Sequence, residues 1–201
     1  MKNDLICQSS EYDCGPTCVT NAMRFLFERE EIPPVVLKHI WTMGIDTFSS
    51  GGETGKMGTS KASMRYMACW FSCYSENCKF PVRAEFLDME NARVAPGTLA
   101  WGCLERGGCA VMRCTTGQIP HYVLLTALLP NGEAGLFDPY DEEPDPDPAV
   151  RAVYGEPKRM NRVVWAERLN QEDDSDYAQG PLDQRELLLF WRADAGGKTH
   201  G

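Results

Sequence analysis

The stretch that decides the fold reads Gln8-Ser9-Ser10-Glu11-Tyr12-Asp13-Cys14-Gly15-Pro16-Thr17-Cys18-Val19-Thr20-Asn21-Ala22-Met23. It places Cys14 on an Asp-Cys-Gly-Pro turn, six residues after Gln8. Apolar residues then recur every three or four positions, which predicts a helix whose buried face carries Cys18, Val19, Ala22, Met23, Leu26 and Phe27. Asp13 or Cys14 therefore lies at a helix start, where Pro16 needs no backbone donor. The helix dipole and free N–H groups at that end favour a thiolate.

A nucleophilic cysteine needs a base and a group that orients the base. The sequence contains three histidines, and His121 opens a run of apolar residues that predicts a buried strand over 121–129. An Asn-Gly turn follows at 131–132, and a second strand over 134–137 ends at Asp138. Because a hairpin brings the start of one strand close to the end of the other, we expect His121 and Asp138 to be neighbours. A Cys14–His121–Asp138 set follows, with Gln8 as an oxyanion donor.

These segments, in this order, resemble the bacteriocin-processing cysteine peptidases, which cleave after double-glycine leaders. They form family thirty-nine of the cysteine peptidases, in the papain-like superfamily. The resemblance covers roughly the first 140 residues and implies that Cys14 is the nucleophile, His121 the general base, Asp138 its orienting partner and Gln8 part of the oxyanion hole. The chain differs from the best-known members because it carries no transporter membrane domain and has a long segment between the first helix and the hairpin.

The order of predicted elements indicates an α+β, papain-like fold in which N-terminal helices pack on an antiparallel sheet. We expect one domain over residues 1–193 and a frayed tail over 194–201. The helical patterns and the apolar runs predict helices near 14–27, 35–41, 60–76 and 96–106, and strands near 81–89, 109–114, 121–129, 134–137, 162–166 and 186–191.

Composition and charge limit the partners and the cellular location that the sequence predicts. The chain has a net charge of -9, which argues against nucleic acid or anionic membrane as a partner. It contains no secretory signal and no run of about 20 apolar residues, so we predict a cytoplasmic protein without a membrane span. The expected substrate is a peptide or a small amide. No cofactor is predicted.

The nine cysteines predict neither a disulfide framework nor a metal site. Their number is odd, and Cys69, Cys73 and Cys78 lack the C-x2-C spacing and the nearby histidine of a zinc site. Cys69 and Cys73 instead lie one turn apart in an apolar helical pattern, so we expect them to pack in the interior. Cys18, Cys103, Cys109 and Cys114 also fall in apolar patterns, so we expect core positions there too.

Two further segments are rich in loop-forming residues. The Gly-rich segment 49–59 lacks the spacing of a phosphate-binding loop, and we predict a mobile loop that borders the substrate cleft and ends in a helix cap at Thr59 or Ser60. The acidic, proline-rich segment 141–148 predicts an exposed loop that could bind a basic peptide or calcium, and 172–176 predicts a second exposed acidic turn.

Each site residue also has a structural interpretation. Cys14 could be a core residue, His121 a hydrogen-bonded strand residue and Asp138 a turn former. Their order and the glutamine ahead of the cysteine favour a hydrolase that acts through a thioacyl intermediate on Cys14. Two alternatives stay open from the sequence: an acyl- or aminoacyltransferase that uses the same intermediate, and an inactive peptide-binding module.

Overall fold

The computed structural model describes residues 3–140 and 147–193, and within them it contains four α-helices and one seven-stranded sheet. The elements are α1 Cys14–Leu26, α2 Pro34–Met43, α3 Lys61–Cys78, β1 Val82–Asp88, α4 Leu99–Glu105, β2 Cys109–Thr116, β3 Ile119–Leu128, β4 Glu133–Phe137, β5 Val150–Ala152, β6 Arg162–Trp165 and β7 Glu186–Arg192. The predicted tail over 194–201 and the acidic residues 141–146 lie outside the described residues. A single domain over 1–193 stays a prediction.

The sheet is antiparallel throughout, with strand order β1-β7-β2-β3-β4-β6-β5. Strand β7, the last in sequence among the described residues, therefore lies between β1 and β2. It joins β1, which follows the N-terminal helices, to the hairpin strands that begin with β2. The α+β class with N-terminal helices on an antiparallel sheet is confirmed. Strand β5 and this strand order were not predicted.

Both faces of the central strands are buried. Helices α1, α2 and α3 cover one face, where Val111, Leu124 and Phe190 point toward them. Helix α4 and a segment after β6 cover the other face, where Ala110 and Leu189 lie. A strand buried on both faces reads as a continuous apolar run rather than as an alternation, which explains the unbroken apolar stretches in β2 and β7.

The predicted burial is confirmed for four cysteines and wrong for two. Cys18, Cys103, Cys109 and Cys114 are buried, as expected. Cys69 and Cys73 are exposed, and so is Cys78, so the expectation that Cys69 and Cys73 pack in the interior is wrong. Helix α3 buries Met64, Met67 and Phe71 instead, and that stripe leaves the two cysteines on the solvent side.

The first helix carries Cys14 to the sheet. Helix α1 is buried along nearly its whole length and packs on β2 and β3. Cys18, one turn after Cys14, donates its thiol to the Tyr122 carbonyl at 3.2 Å. The start of the helix is therefore held next to the start of β3, so the helix that carries Cys14 packs on the sheet that carries His121.

Candidate active site

Cys14 is the first residue of α1 and is almost completely buried, with 7% of its surface exposed. The first intrahelical bond of α1 runs from the Thr17 N–H to the Asp13 carbonyl at 3.0 Å. The N–H groups of Cys14 and Gly15 precede that bond, and Pro16 has no N–H. The sulfur is thus attached at a helix end whose first N–H groups have no partner within the helix, and such groups attract negative charge.

Asp13 organises the turn that leads into this helix. Its buried carboxylate accepts hydrogen bonds from the Ser9 N–H at 3.2 Å, the Ser9 hydroxyl at 2.8 Å and the Ser10 N–H at 3.0 Å. It therefore does not cap the helix through its side chain, although it occupies the cap position. Sequence reasoning placed Asp13 at the helix start but did not foresee that it fastens the segment carrying Gln8.

His121 and Asp138 lie in contact. The His121 Nε2 and the Asp138 Oδ1 are 2.7 Å apart, and both side chains are buried. The hairpin explains the contact, because Leu124 pairs with Phe137 and the chain then continues to Asp138 beside the start of β3. The Cys14 thiol interacts with the His121 ring closely enough to raise the pKa of the imidazole. Since Nε2 faces the carboxylate, Nδ1 is the ring nitrogen left for the sulfur.

The pair is electrostatically coupled. Burial by itself lowers the pKa of His121, but the hydrogen bonds and charges of Asp138 and Cys14 outweigh it and raise that pKa to about 10. Burial raises the pKa of Asp138, yet the His121 hydrogen bond and charge, with the Tyr140 N–H and the Tyr177 hydroxyl, hold it below its ordinary value. Both shifts favour an ion pair over two neutral groups.

Asp138 is itself held by residues that sequence reasoning missed. The Asn161 side chain accepts from the Asp138 N–H and donates to the Asp138 carbonyl, each at 2.8 Å. The Tyr140 N–H donates to Oδ1 at 2.9 Å, and the Tyr177 hydroxyl donates to Oδ2 at 2.9 Å. Only the pairing of β4 with β6 could have located Asn161, and no sequence signal indicates Tyr177.

Gln8 lies beside the site, and its amide nitrogen is hydrogen-bonded to Ser10. Its backbone N–H donates to the Pro139 carbonyl at 2.9 Å, next to Asp138. Its Nε2 donates to the Ser10 carbonyl at 2.9 Å, while Oε1 is buried without a hydrogen-bond partner among the described residues. The second hydrogen of Nε2 is the one left to meet an oxyanion.

The Gly-rich loop packs against the start of α1. A Cβ on Gly15 would lie 2.7 Å from the Thr59 Cβ, and Thr59 donates its hydroxyl to the Gly44 carbonyl. The Lys56 ammonium lies 5.5 Å from the centre of the Tyr12 ring. Ser60 caps α3, since its hydroxyl accepts from the Ser63 N–H, which confirms one of the two predicted cap positions. The predicted mobility of this loop stays a prediction.

A cavity lies away from the Cys14, His121 and Asp138 side chains. This cavity, of about 830 Å³, opens at the other end of α1, where Phe25 and Leu26 line it. Within residues 3–140 and 147–193, no group of three or more His, Cys, Asp or Glu is arranged to hold a metal ion. In the same ranges, no helix has the length and apolar character needed to cross a membrane.

Comparison with known proteins finds similarity among solved structures. No protein-family model matches this sequence, and no curated protein matches it. Among solved structures, the chain is similar to the peptidase domain of Streptococcus mutans ComA, with 14% sequence identity and a TM-score of 0.39. The alignment covers 93% of this chain and 98% of that domain.

Proposed function

We propose that this protein is a cysteine peptidase-like hydrolase, which cleaves a peptide or amide bond through a thioacyl intermediate on Cys14. One observation carries the proposal: the buried imidazole of His121 lies 2.7 Å from the Asp138 carboxylate, and the Cys14 thiol interacts with the same ring and raises its pKa. A nucleophile, a base and a group that orients the base are thereby arranged in series. The sequence resemblance to bacteriocin-processing peptidases supports the same roles.

The chemistry follows from these positions. His121 takes the thiol proton, and the Cys14 sulfur attacks the carbonyl carbon of the substrate. The tetrahedral oxyanion is stabilised by the Cys14 backbone N–H and by the Gln8 side chain. The carbon–nitrogen bond then breaks, and His121 returns its proton to the leaving amine. Water, deprotonated by the same imidazole, hydrolyses the thioester and frees the sulfur.

Asp138 acts on the base. Its carboxylate accepts the Nε2 proton, which leaves Nδ1 as the nitrogen that exchanges a proton with the sulfur. It also stabilises the imidazolium that forms when the thiol proton is taken. Because both groups are buried, the attraction between them is screened less than it would be at the surface.

Selective alkylation tests the proposal without a known substrate. Limiting iodoacetamide at about pH 6, where an ordinary thiol is mostly protonated, is followed by peptide mapping. We expect Cys14 to be labelled first although it is buried, ahead of the four exposed thiols, which are those of Cys7, Cys69, Cys73 and Cys78. If the exposed thiols react first and Cys14 reacts only after unfolding, the proposal is wrong.

A peptide-cleavage assay is the second test of the proposal. Cys14→Ala should abolish cleavage of a peptide pool followed by mass spectrometry, whereas the matched control Cys69→Ala should retain it. Hydroxylamine added as a competing nucleophile separates hydrolysis from transfer, since a hydrolase yields mainly the free acid. Cleavage that persists in Cys14→Ala at the parent rate would contradict the assignment.

A further inference from the structure

The Asp138 carboxylate has two oxygens with different partners. Oδ1 faces His121 and the Tyr140 N–H, whereas Oδ2 accepts the hydroxyl proton of Tyr177 at 2.9 Å. Tyr177 is 3% exposed and lies 39 residues further along the chain than Asp138. The hydroxyl therefore fixes the rotation of the carboxylate from the side opposite to the histidine.

Tyr177 belongs to a short strap, residues 175–178, that is fastened to the hairpin carrying His121. The Tyr177 N–H donates to the Thr115 carbonyl at 2.7 Å, and the Thr115 N–H donates to the Ala178 carbonyl at 2.9 Å. The Asp176 carboxylate accepts from the Gly117 N–H at 2.8 Å, in the turn between β2 and β3. Thr115 and Gly117 precede His121 by only a few residues, so one segment is hydrogen-bonded both to Asp138 and to the turn that leads into His121.

Tyr177 has an unusual backbone conformation, which indicates that the surrounding structure fixes the position of its side chain. Its φ is 66°, in the left-handed region that a bulky side chain rarely adopts. The two bonds to Thr115 hold this conformation, and they direct the ring into the interior beneath Asp138. The exposed acidic turn predicted from the sequence thus leads directly into a buried contact of the candidate active site.

We propose that Tyr177 is a positioning residue for the Cys14–His121–Asp138 set. The strap 175–178 holds the Asp138 carboxylate in hydrogen-bonding position against the His121 imidazole. This inference rests on the proposed function. A hydroxyl that donates to a carboxylate stabilises its ionised form, and it prevents the carboxylate from rotating away from Nε2. Tyr177 does not reach the reacting atoms, so its effect passes through Asp138.

Tyr177→Phe removes the hydroxyl and keeps the ring, and Tyr66→Phe makes the same change on the exposed face of α3 as a matched control. The measurement is the rate of Cys14 alkylation from about pH 3.5 to about pH 8, with tryptophan fluorescence reporting folding. We expect the acid midpoint of Tyr177→Phe to move up by about one pH unit, because Asp138 becomes protonated more easily. The rate at the upper end should change less than about twofold.

A spectroscopic readout separates positioning from general destabilisation. The His121 Nε2 proton, bonded to a carboxylate, should give a far-downfield proton resonance, which should exchange faster with water in Tyr177→Phe and be unchanged in Tyr66→Phe. If Tyr177→Phe does not fold, Asp176→Ala releases the strap from Gly117 and should move the midpoint in the same direction by a smaller amount.

The outcomes are distinguishable. If Cys14 is selectively alkylated in the parent protein but Tyr177→Phe, or Asp176→Ala in its place, has the same pH profile and the same resonance, this inference fails while the proposed function stands. If Cys14 shows no selective reactivity in the parent protein, both fail. A shift confined to the acid limb, absent from Tyr66→Phe, supports the positioning role.

Discussion

Replacing Asp138 by asparagine should destabilise the protein by an amount that depends on pH. Asp138 is 4% exposed, and its Oδ1 lies 2.7 Å from the His121 Nε2. The substitution keeps the size of the side chain but removes the charge that favours the imidazolium. The His121 pKa is raised, so its contribution to stability is complete below its unfolded value of about 6.5 and is lost as the pH rises toward 10.

The size of the effect follows from the same shift. Raising a histidine pKa from 6.5 to about 10 corresponds to at most ~5 kcal/mol of preference for the charged form. Cys14 shares in that preference, so we assign ~3 kcal/mol to Asp138, at the lower end for breaking a buried ion pair. At about pH 9, only one pH unit below the folded pKa, ~1.4 kcal/mol remains for Asp138 and Cys14 together.

Urea unfolding followed by tryptophan fluorescence measures this difference. The free energy of unfolding of Asp138→Asn should lie ~3 kcal/mol below that of the parent protein near pH 6, and ~1 kcal/mol below it near pH 9. Asp147→Asn is the control, because Asp147 forms a partly exposed ion pair with Arg168 at 3.1 Å and this pair contains no histidine. A deficit in Asp138→Asn that is equal at both pH values would refute the coupled ion pair.

Three other substitutions or measurements test the site and its support. Gln8→Ala should lower the acylation rate, measured with a cleaved peptide, about 10²- to 10³-fold. It should leave the alkylation rate of Cys14, measured with iodoacetamide, unchanged. Equal losses in both rates would argue against an oxyanion role. Gly15→Ala should lower the free energy of unfolding in urea by ~1–3 kcal/mol, because its Cβ would lie 2.7 Å from the Thr59 Cβ. Gly51→Ala is the control and should be nearly neutral, because a Cβ on Gly51 meets only a hydroxyl at 3.6 Å. Burial raises the pKa of the Cys18 thiol well above its usual range, so mass spectrometry should find Cys18 alkylated only in denatured protein.

The positions of helices and strands were predictable because their signals are local. The three- and four-residue spacing after Cys14 predicts α1, and the apolar run after His121 predicts β3. The Asn-Gly turn at 131–132 predicts the hairpin that brings Asp138 to His121. The exposure of Cys69 and Cys73 was not predictable in this way, because α3 has apolar residues on more than one side and the tertiary packing buries the side with Met64, Met67 and Phe71.

The support of the site depends on contacts between residues far apart in the chain. Asn161 and Tyr177 reach Asp138 across 23 and 39 residues, and no periodicity or motif links them to it. The insertion of β7 between β1 and β2 is equally distant in sequence. Such contacts depend on strand order, which many sequences with the same local pattern could satisfy differently.

By itself, the sequence determined the helix that begins at Cys14, the hairpin that joins the histidine strand to Asp138, and hence a candidate set of three residues in order. Each of these depends on interactions between near neighbours in the chain, which spacing and turn chemistry record directly. Only the tertiary structure decided which hydroxyl and which amide hold the carboxylate, and how far each cysteine is buried. Those outcomes depend on which distant segments share the desolvated interior, where an unpaired polar group is costly.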